Sequence, residues 1–204
     1  MEKPGIDVVN ARLLTLYSNM ETKEKVNFYD SWAQDYEQHM TVMDYQAPRF
    51  SVETLDAVYL GDRDSALVLD VPCGTGLVAE TLQKLGFKHF HGIEGSKQML
   101  KIAESKDSYD LVMIVGGLAQ QHLPWEILPE MLRVTKSDGF ICFTLRAEES
   151  DHRRNLLTSI QELVNKGLWE NVVERYVEKW QRDMLPTGLA EEYADGIVTI
   201  YRKK

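Results

Sequence analysis

Residues 69–76 read Leu-Asp-Val-Pro-Cys-Gly-Thr-Gly, and this stretch determines the fold prediction. It follows a short, almost entirely apolar run at 66–70, which is typical of a strand buried on both faces of a parallel sheet. Residues 77–85 then have the pattern of a helix that ends at Gly86, and residues 87–94 have that of a second strand. The stretch therefore predicts the glycine turn of a parallel strand-helix-strand unit.

Four residues around this turn are candidate ligand-binding residues. Asp70 ends the first strand, and Gly74 and Gly76 leave the backbone of the turn open to a ligand. Glu94 follows 18 residues after Gly76, at the end of the second strand. An acidic side chain at that position can accept hydrogen bonds from both hydroxyls of a ribose. The pattern favours a nucleoside ligand.

The charge of Asp70 discriminates between two nucleoside cofactors. Gly74, Gly76 and Ala79 also match a dinucleotide fingerprint, which keeps a nicotinamide-dependent oxidoreductase as an alternative. A pyrophosphate at this turn would be repelled by the carboxylate of Asp70. S-adenosylmethionine instead offers an ammonium and a sulfonium group together with a ribose, and it is the favoured cofactor.

The rest of the chain continues the alternation of strands and helices. We predict strands at 109–115 and 139–145, the second after a turn at 137–139, and helices at 99–106, 128–134 and 155–166. Residues 172–180 fit a helix or an alternating strand, and we favour the strand because a closing strand at 196–201 needs an antiparallel neighbour. The predicted fold class is α/β, a Rossmann-like doubly wound, mostly parallel sheet with a C-terminal antiparallel hairpin.

The N-terminal part has a different pattern. Residues 1–25 are expected to be a weakly ordered lead, and residues 26–204 a single domain. Phe28, Trp32 and Tyr36 recur every four residues, which predicts one helix at 26–40 with an aromatic face. A second amphipathic helix is predicted between Pro48 and Gly61.

Three segments resemble the class I S-adenosylmethionine-dependent methyltransferases. They are residues 69–76, Gly-Ile-Glu-Gly-Ser at 92–96 and Tyr-Asp-Leu-Val at 109–112. Together with Phe-Tyr-Asp-Ser-Trp-Ala-Gln-Asp-Tyr at 28–36, they extend the resemblance over nearly the whole chain from residue 26 onward. The resemblance implies methyl transfer from S-adenosylmethionine. It also implies that the glycine turn lies beside the methionyl part of the cofactor, that Glu94 binds the ribose, and that Tyr29 or Tyr36 helps to cover the site.

The connection after Glu94 is shorter than the pattern of this family. Only 14 residues separate Glu94 from Tyr109, enough for one crossover but too few for a crossover, a third strand and a second crossover. We therefore expect a shortened form, such as an isoform, whose sheet lacks one edge strand, normally the third. The strand at Tyr109 then either stays beside the first strand or moves to the vacant edge.

Loss of this segment would remove part of the adenine-binding wall. We expect S-adenosylmethionine to bind weakly or not at all to this form, because one lost adenine face and one lost hydrogen bond could cost several kcal/mol. A non-catalytic scaffold or interaction protein, which would bind a partner through the exposed sheet edge, is the alternative to an enzyme.

The composition of the chain limits the partners and the cellular compartment that we expect for it. A net charge of -9 opposes generic binding to nucleic acid or anionic membranes, and we expect neither as a partner. Two cysteines, Cys73 and Cys142, favour a reducing compartment, the cytoplasm or the nucleus, and exclude a zinc site built on thiolates. No sequence motif identifies the acceptor or an oligomeric state.

The histidines are weaker candidates than the carboxylates. His89 and His91 lack further ligands, so we expect no metal site. His122 follows a central strand, where a general base could act, but methyl transfer depends mainly on alignment. We expect His122 to be a packed or solvent-facing residue, and we assign no catalytic residue.

Overall fold

The computed structural model describes residues 5–16, 18, 20–94, 108–119, 122–182 and 193–204. Its strands are β1 (Leu67–Asp70), β2 (His89–Gly92), β3 (Tyr109–Ile114), β4 (Thr135–Arg146), β5 (Trp169–Arg182) and β6 (Tyr193–Lys203). Within these residues they form one sheet in the order β2-β1-β3-β4-β6-β5. Strands β1 to β4 pair in parallel, and β6 pairs antiparallel with β4 and β5. The predicted α/β fold and the strand favoured at 172–180 are confirmed.

The helices cover both faces of this sheet. They are α1 (Ile6–Leu16), α2 (Thr22–Trp32), α3 (Tyr36–Val42), α4 (Ala47–Asp56), α5 (Leu77–Gln83), α6 (Leu128–Val134) and α7 (Asp151–Asn165). A single 3-10 turn, Trp125–Ile127, precedes α6. In the part of the chain described, no helix is both long and apolar enough to cross a membrane.

The central strands are buried on both faces because successive side chains point to opposite sides of a sheet. Leu69 and Val112 belong to one core, which α6 and α7 complete, whereas Val68 and Leu111 belong to the other, which α4 and α5 complete. All four side chains are fully buried. This double burial explains why the strands read as continuous apolar runs rather than as alternating patterns.

Strand β3 lies beside β1, with Val68 paired to Leu111 and Asp70 paired to Met113. Of the two positions open to it, the strand at Tyr109 therefore keeps the inner one. Among the described residues, β2 has only β1 as a neighbour and is the edge strand. The helix predicted at 99–106 lies outside the described residues. The order aligns the carboxyl ends of β2, β1, β3 and β4 along one rim of the sheet.

The N-terminal segment differs from the weakly ordered lead expected for residues 1–25. It contains α1, whose Val9, Leu13 and Leu16 are buried together with Trp32 and Met40. These three apolar residues lie on one face of α1. That face is buried only when the following helices, α2 and α3, provide a surface for it to pack against.

The single helix predicted at 26–40 is also wrong, because the chain turns at residues 33–35 and forms α2 and α3 instead. The backbone N–H of Asp35 donates to the carbonyl of Trp32 at 3.0 Å, which closes the turn. Aspartate favours helix starts over helix interiors. The aromatic row nevertheless continues across the turn, with the rings of Trp32 and Tyr36 5.2 Å apart.

A buried hydrogen bond joins the two helices: the indole Nε1 of Trp32 donates to Nδ1 of His39 at 2.7 Å. The His39 side chain is 4% exposed. Burial lowers the pKa of His39, nearby Arg12 lowers it further, and Asp35 acts in the opposite direction. Protonation of Nδ1 would remove the acceptor of this bond.

We predict that His39 makes the fold sensitive to acid. The unfolded chain takes up a proton at His39 near its usual pKa of about 6.5, whereas the folded chain does so only at lower pH, so stability is lost as pH falls below about 6.5. In His39→Gln the amide oxygen can accept the same bond without titrating. Thermal unfolding at about pH 5 and pH 7 should show that His39→Gln gains stability relative to the wild type as pH falls; a difference between the two proteins that is the same at both pH values would contradict the assignment.

Strand β4 begins earlier than predicted. The turn expected at 137–139 is a bulge within the strand, where Asp138 has φ +61° and the pairing with β3 shifts between Tyr109 and Leu111. The bulge accommodates the extra residues of β4 without ending the strand, as β-bulges at the ends of sheets commonly do.

The C-terminal hairpin carries a second irregularity. Pairing of β5 with β6 shifts between Val177 and Gln181, and Lys179 within this bulge has φ +52°. The bulge lays the ring of Trp180 directly on Gly196 of β6, where an added Cβ would lie 2.0 Å from Cε3 of the indole. Trp180 is 3% exposed, and its position depends on the absence of a side chain at residue 196.

Candidate functional site

Asp70 lies at the carboxyl end of β1, and its side chain is 2% exposed. Neither carboxylate oxygen has a hydrogen-bond partner among the described residues. Burial raises the pKa of Asp70 to about 7, with a smaller contribution from the negative charge of Glu94. A buried carboxyl group without partners is costly and uncommon in folded proteins, so its retention suits a cationic or hydrogen-bond-donating ligand.

The glycine turn after Asp70 has open space beside it. Gly74 and Gly76 adopt φ values of +50° and +93°, and a Cβ added at either residue would have no neighbour within 4 Å. The positive φ angles favour glycine at both positions, and the empty space allows a ligand to reach the backbone. Helix α5 begins directly after the turn, at Leu77.

Glu94 is held against this turn. Its Oε2 accepts a hydrogen bond from the backbone N–H of Gly74 at 2.9 Å, and the residue is exposed. Backbone bonds from Ile93 to Asp70 and from Cys73 to Ile93, each 3.0 Å, fasten the end of β2 to the end of β1. The structure thus brings together Asp70, Gly74, Gly76 and Glu94; that they bind a cofactor stays a prediction.

Tyr29 and Tyr36 lie elsewhere along the same rim. Both line a cavity of about 100 Å³ that the N-terminal helices form with the ends of β3, β4 and β5. The hydroxyl of Tyr29 is 2.9 Å from Nε2 of His122, a residue expected from the sequence to be packed or solvent-facing. That the two tyrosines cover the cofactor stays a prediction; what the structure gives is their place in this cavity.

Several residues of the rim are not identified from the sequence. Gly116, two residues after the end of β3, has φ +72° and donates its N–H to Oγ1 of Thr144 at 2.8 Å. An added Cβ at Gly116 would lie 2.4 Å from the hydroxyl of Tyr45, and one at Gly117 would lie 2.3 Å from Cδ of Pro72. The Gly116-Gly117 pair thus lets the cavity wall and the 69–76 stretch pack closely. The glycine pair is visible in the sequence, but its neighbours come from distant segments.

S-adenosylmethionine fits the groups at the ends of β1 and β2. The orphaned carboxyl group of Asp70 suits the ammonium of the methionyl part, the glycine turn leaves room for its chain, and Glu94 can accept hydrogen bonds from ribose hydroxyls. A ligand bearing phosphate at the same place would bring negative charge towards both carboxylates. Parallel strands with these hydrogen-bond donors and acceptors at their carboxyl ends place the chain in the fold class of the class I methyltransferases.

Solved structures support the same class. A chain in the complex of the Haloferax volcanii Trm112 methyltransferase activator with its methyltransferase has a TM-score of 0.58 and 16% identity, covering 86% of this chain and 95% of that one. A TehB-like SAM-dependent methyltransferase from Corynebacterium glutamicum has a TM-score of 0.54 and 18% identity, covering 86% and 98%. A SAM-dependent methyltransferase from Thermotoga maritima has a TM-score of 0.53, with the same identity and coverage. At sequence identities of 16–18%, these similarities show a shared fold only.

The chain belongs to the family of methyltransferase-like protein 27. The human protein of that name is 35% identical over an alignment of 200 positions, which covers 87% of this chain and 81% of the relative. No protein-family model matches the chain.

Proposed function

We propose that this protein transfers the methyl group of S-adenosylmethionine to an acceptor and binds the cofactor more weakly than a full-length member of its fold class. The observation that carries the proposal is the buried carboxyl group of Asp70, which has no partner in the described part of the chain and lies next to an open glycine turn. Asp70, Gly74, Gly76 and Glu94 are the proposed cofactor-binding residues. The likeness to SAM-dependent methyltransferases supports the choice of cofactor.

The proposed weakness lies on the adenine side. Fourteen residues connect Glu94 to Tyr109, and β2 is the edge strand of the described sheet. The alignment with the human relative runs over 200 residues but contains 87% of this 204-residue chain, about 177 residues, so about 23 positions are filled only in the relative. A missing internal segment, as in a shortened isoform, accounts for both observations.

In this proposal the chain acts by alignment and by exclusion of water. When bound, S-adenosylmethionine supplies a methyl group on a positively charged sulfur. Asp70 and Glu94, at the ends of β1 and β2, would hold the ammonium group and the ribose of the cofactor, while the cavity beside Gly116 holds the acceptor under the aromatic rings of Tyr29 and Tyr36. Holding two reactants in line and away from water supplies most of what methyl transfer needs. His122, paired with Tyr29, could accept a proton from the acceptor.

Titration with S-adenosylhomocysteine by calorimetry tests the affinity. We expect binding with a dissociation constant weaker than ~10 µM, because part of the adenine contact is lost. A constant of ~10 µM or tighter would refute the weakening.

Amide resonances provide the matched control. Gly74, Gly76 and Glu94 should shift on addition of the cofactor, whereas NAD should leave them in place. Absence of any shift would instead favour a non-catalytic scaffold that uses the exposed β2 edge, whose His89, His91 and Gly92 face solvent. The two free thiols, of Cys73 and Cys142, suit a reducing compartment, and we place the protein in the cytoplasm or the nucleus.

A further inference from the structure

The cavity beside Gly116 lies between the N-terminal helices and the ends of β3, β4 and β5. Most of the residues that line it are apolar or aromatic, and they include Trp32, Met40, Met43 and Trp180. At about 100 Å³ the cavity approaches the size of an engineered apolar cavity of ~150 Å³ that admits benzene. The space therefore suits one small, flat ring.

Trp180 forms one wall of this cavity and is held there by backbone contacts. Strand β6 lies between β4 and β5, and its Gly196 leaves free the space that the indole of Trp180 occupies. The backbone N–H of Gln46 donates to the carbonyl of Trp180, and that of Arg182 donates to the carbonyl of Met43, each at 2.8 Å. These two bonds fasten this part of β5 to the segment between α3 and α4, so the wall is formed before any ligand binds.

The indole of Trp180 carries a hydrogen-bond donor that is not used. Its Nε1 is buried and has no acceptor among the described residues. A buried N–H group without an acceptor costs free energy and is uncommon in folded proteins. The neighbouring Lys179, with φ +52°, adds backbone strain at the same place. Strained residues and unpaired buried donors are concentrated at ligand-binding sites, and the combination suits a ligand that supplies the missing acceptor.

A second donor belongs to the same cavity. Thr144 of β4 is buried, lines the cavity, and accepts a hydrogen bond from the N–H of Gly116 at 2.8 Å. That bond uses a lone pair of Oγ1 and leaves the hydroxyl proton free to rotate towards another acceptor, which no described residue provides. A hydroxyl group that already accepts a hydrogen bond is also a stronger donor. The cavity thus has two donors, from β4 and β5, that lack acceptors.

We infer that the cavity binds a small, flat ring with a lone-pair atom, either a ring nitrogen or a carbonyl oxygen, that accepts hydrogen bonds from Trp180 and Thr144. The apolar walls then cover the faces of the ring, and the two donors fix its orientation, as the few polar groups of a ligand pocket usually do. Under the proposed methyl transfer, on which this step rests, the ring is the methyl acceptor.

Benzene and pyridine test the inference, because they have the same shape and differ in one ring nitrogen that accepts a hydrogen bond. Each is titrated into the full chain at a pH at which pyridine is uncharged, and its dissociation constant is measured by ligand-observed NMR. Since neither ring carries a charge, the comparison does not depend on charged groups of the wall. In Trp180→Phe, which keeps an aromatic ring but loses the N–H, pyridine should lose about fivefold more affinity than benzene.

Trp125→Phe is the matched control. Trp125 packs near His152, with ring centroids 5.6 Å apart, and is not among the residues that line the cavity. The ratio of the two dissociation constants should therefore keep its wild-type value in this variant, and thermal unfolding verifies that both variants fold. Equal losses for the two rings in Trp180→Phe, or failure of pyridine to bind the wild type below ~10 mM, would overturn the inference.

The indole N–H resonances provide a measurement on the wild type alone. The chain has four tryptophans, and Nε1 already donates to Nδ1 of His39 in Trp32 and to the carbonyl of Ile160 in Trp169. Pyridine should move the N–H resonance of Trp180 further downfield than benzene does, because a hydrogen bond deshields the proton. The two rings should act alike on the resonances of Trp32 and Trp169. Equal effects on Trp180 would contradict the inferred bond.

S-adenosylhomocysteine, titrated into the same samples, separates this inference from the proposed function. If it does not bind while the effect of pyridine on Trp180 persists, methyl transfer is overturned and the ring site stands. If it displaces pyridine and itself moves the Trp180 resonance downfield, the donor belongs to the cofactor site and the ring site is overturned. Simultaneous binding of both compounds supports both.

Discussion

As the pH is raised from about 4 to about 7, titration of Asp70 is expected to lower the stability of the wild type. Asp70→Asn is expected to abolish most of this loss. Burial raises the pKa of Asp70 to about 7 in the folded chain, whereas in the unfolded chain this carboxyl group has its usual pKa of 3.8. Between these values the unfolded state has lost the proton and the folded state has not, so the free energy of unfolding falls as pH rises. A difference of about three pKa units corresponds to roughly 4 kcal/mol.

Urea unfolding at about pH 5 and pH 8 measures this difference. The matched control is Glu80→Gln, since Glu80 is an exposed carboxylate paired with Lys84 on α5 and should change stability by less than ~1 kcal/mol. If wild type and Asp70→Asn lost stability in parallel over this range, Asp70 would not be the buried proton-binding group.

Protonation of Asp70 should also make the affinity for the cofactor depend on pH. In the proposed site the ammonium group of the cofactor binds the charged form of Asp70, so binding must release a proton at any pH where Asp70 is still protonated. Affinity for S-adenosylhomocysteine should therefore rise by up to about tenfold per pH unit below pH 7 and level off above it. In Asp70→Asn binding should be weaker and nearly independent of pH over this range.

Gly196→Ala should cause the largest steric loss of stability. The added methyl group would lie 2.0 Å from Cε3 and 2.1 Å from Cδ2 of Trp180, an overlap that a rigid, buried indole cannot relieve by a small rotation. Overpacking typically costs 1–3 kcal/mol, and we expect about 3 kcal/mol here, which lowers Tm by roughly 6–12 °C. Thermal unfolding measures the shift, and tryptophan fluorescence reports the displaced ring.

Two further variants test whether the effect of Gly196→Ala comes from the contact with Trp180. Gly5→Ala introduces the same methyl group where nothing lies within 4 Å, and it should leave Tm almost unchanged. Trp180→Ala removes the obstacle, so the double variant should be less destabilised than the sum of the single variants. Full additivity would mean that the methyl group and the indole do not meet.

The parallel half of the fold could be predicted because its signals are local. The apolar runs of β1 and β3 and the glycines of the turn each mark their own conformation, and parallel strands bring Asp70 and Glu94 to one rim whatever the remaining topology. The strand order could not be decided, since the short connection after Glu94 allowed two positions. The pairing of Val68 with Leu111 now gives the inner one.

The cavity was less accessible to sequence reasoning because it is built by distant segments. Arg146 and Trp180 come from β4 and β5, and Trp180 reaches the cavity through a bulge that no short pattern marks. The contribution of α1 was missed for a different reason. Its apolar residues do have helical spacing, but a helical face gains stability only from the surface it covers, and that surface belongs to α2 and α3.

The position of α1 has a practical consequence for biochemical work on this protein. Leu13 and Leu16 belong to the cavity wall, so trimming the chain to a start near residue 25 would delete part of the cavity that we propose holds the acceptor, while the sheet and the glycine turn stayed intact. On the proposed function, we expect such a truncated chain to respond to cofactor yet fail with every acceptor offered, and a screen for methyl acceptors should therefore use the chain from its first residue.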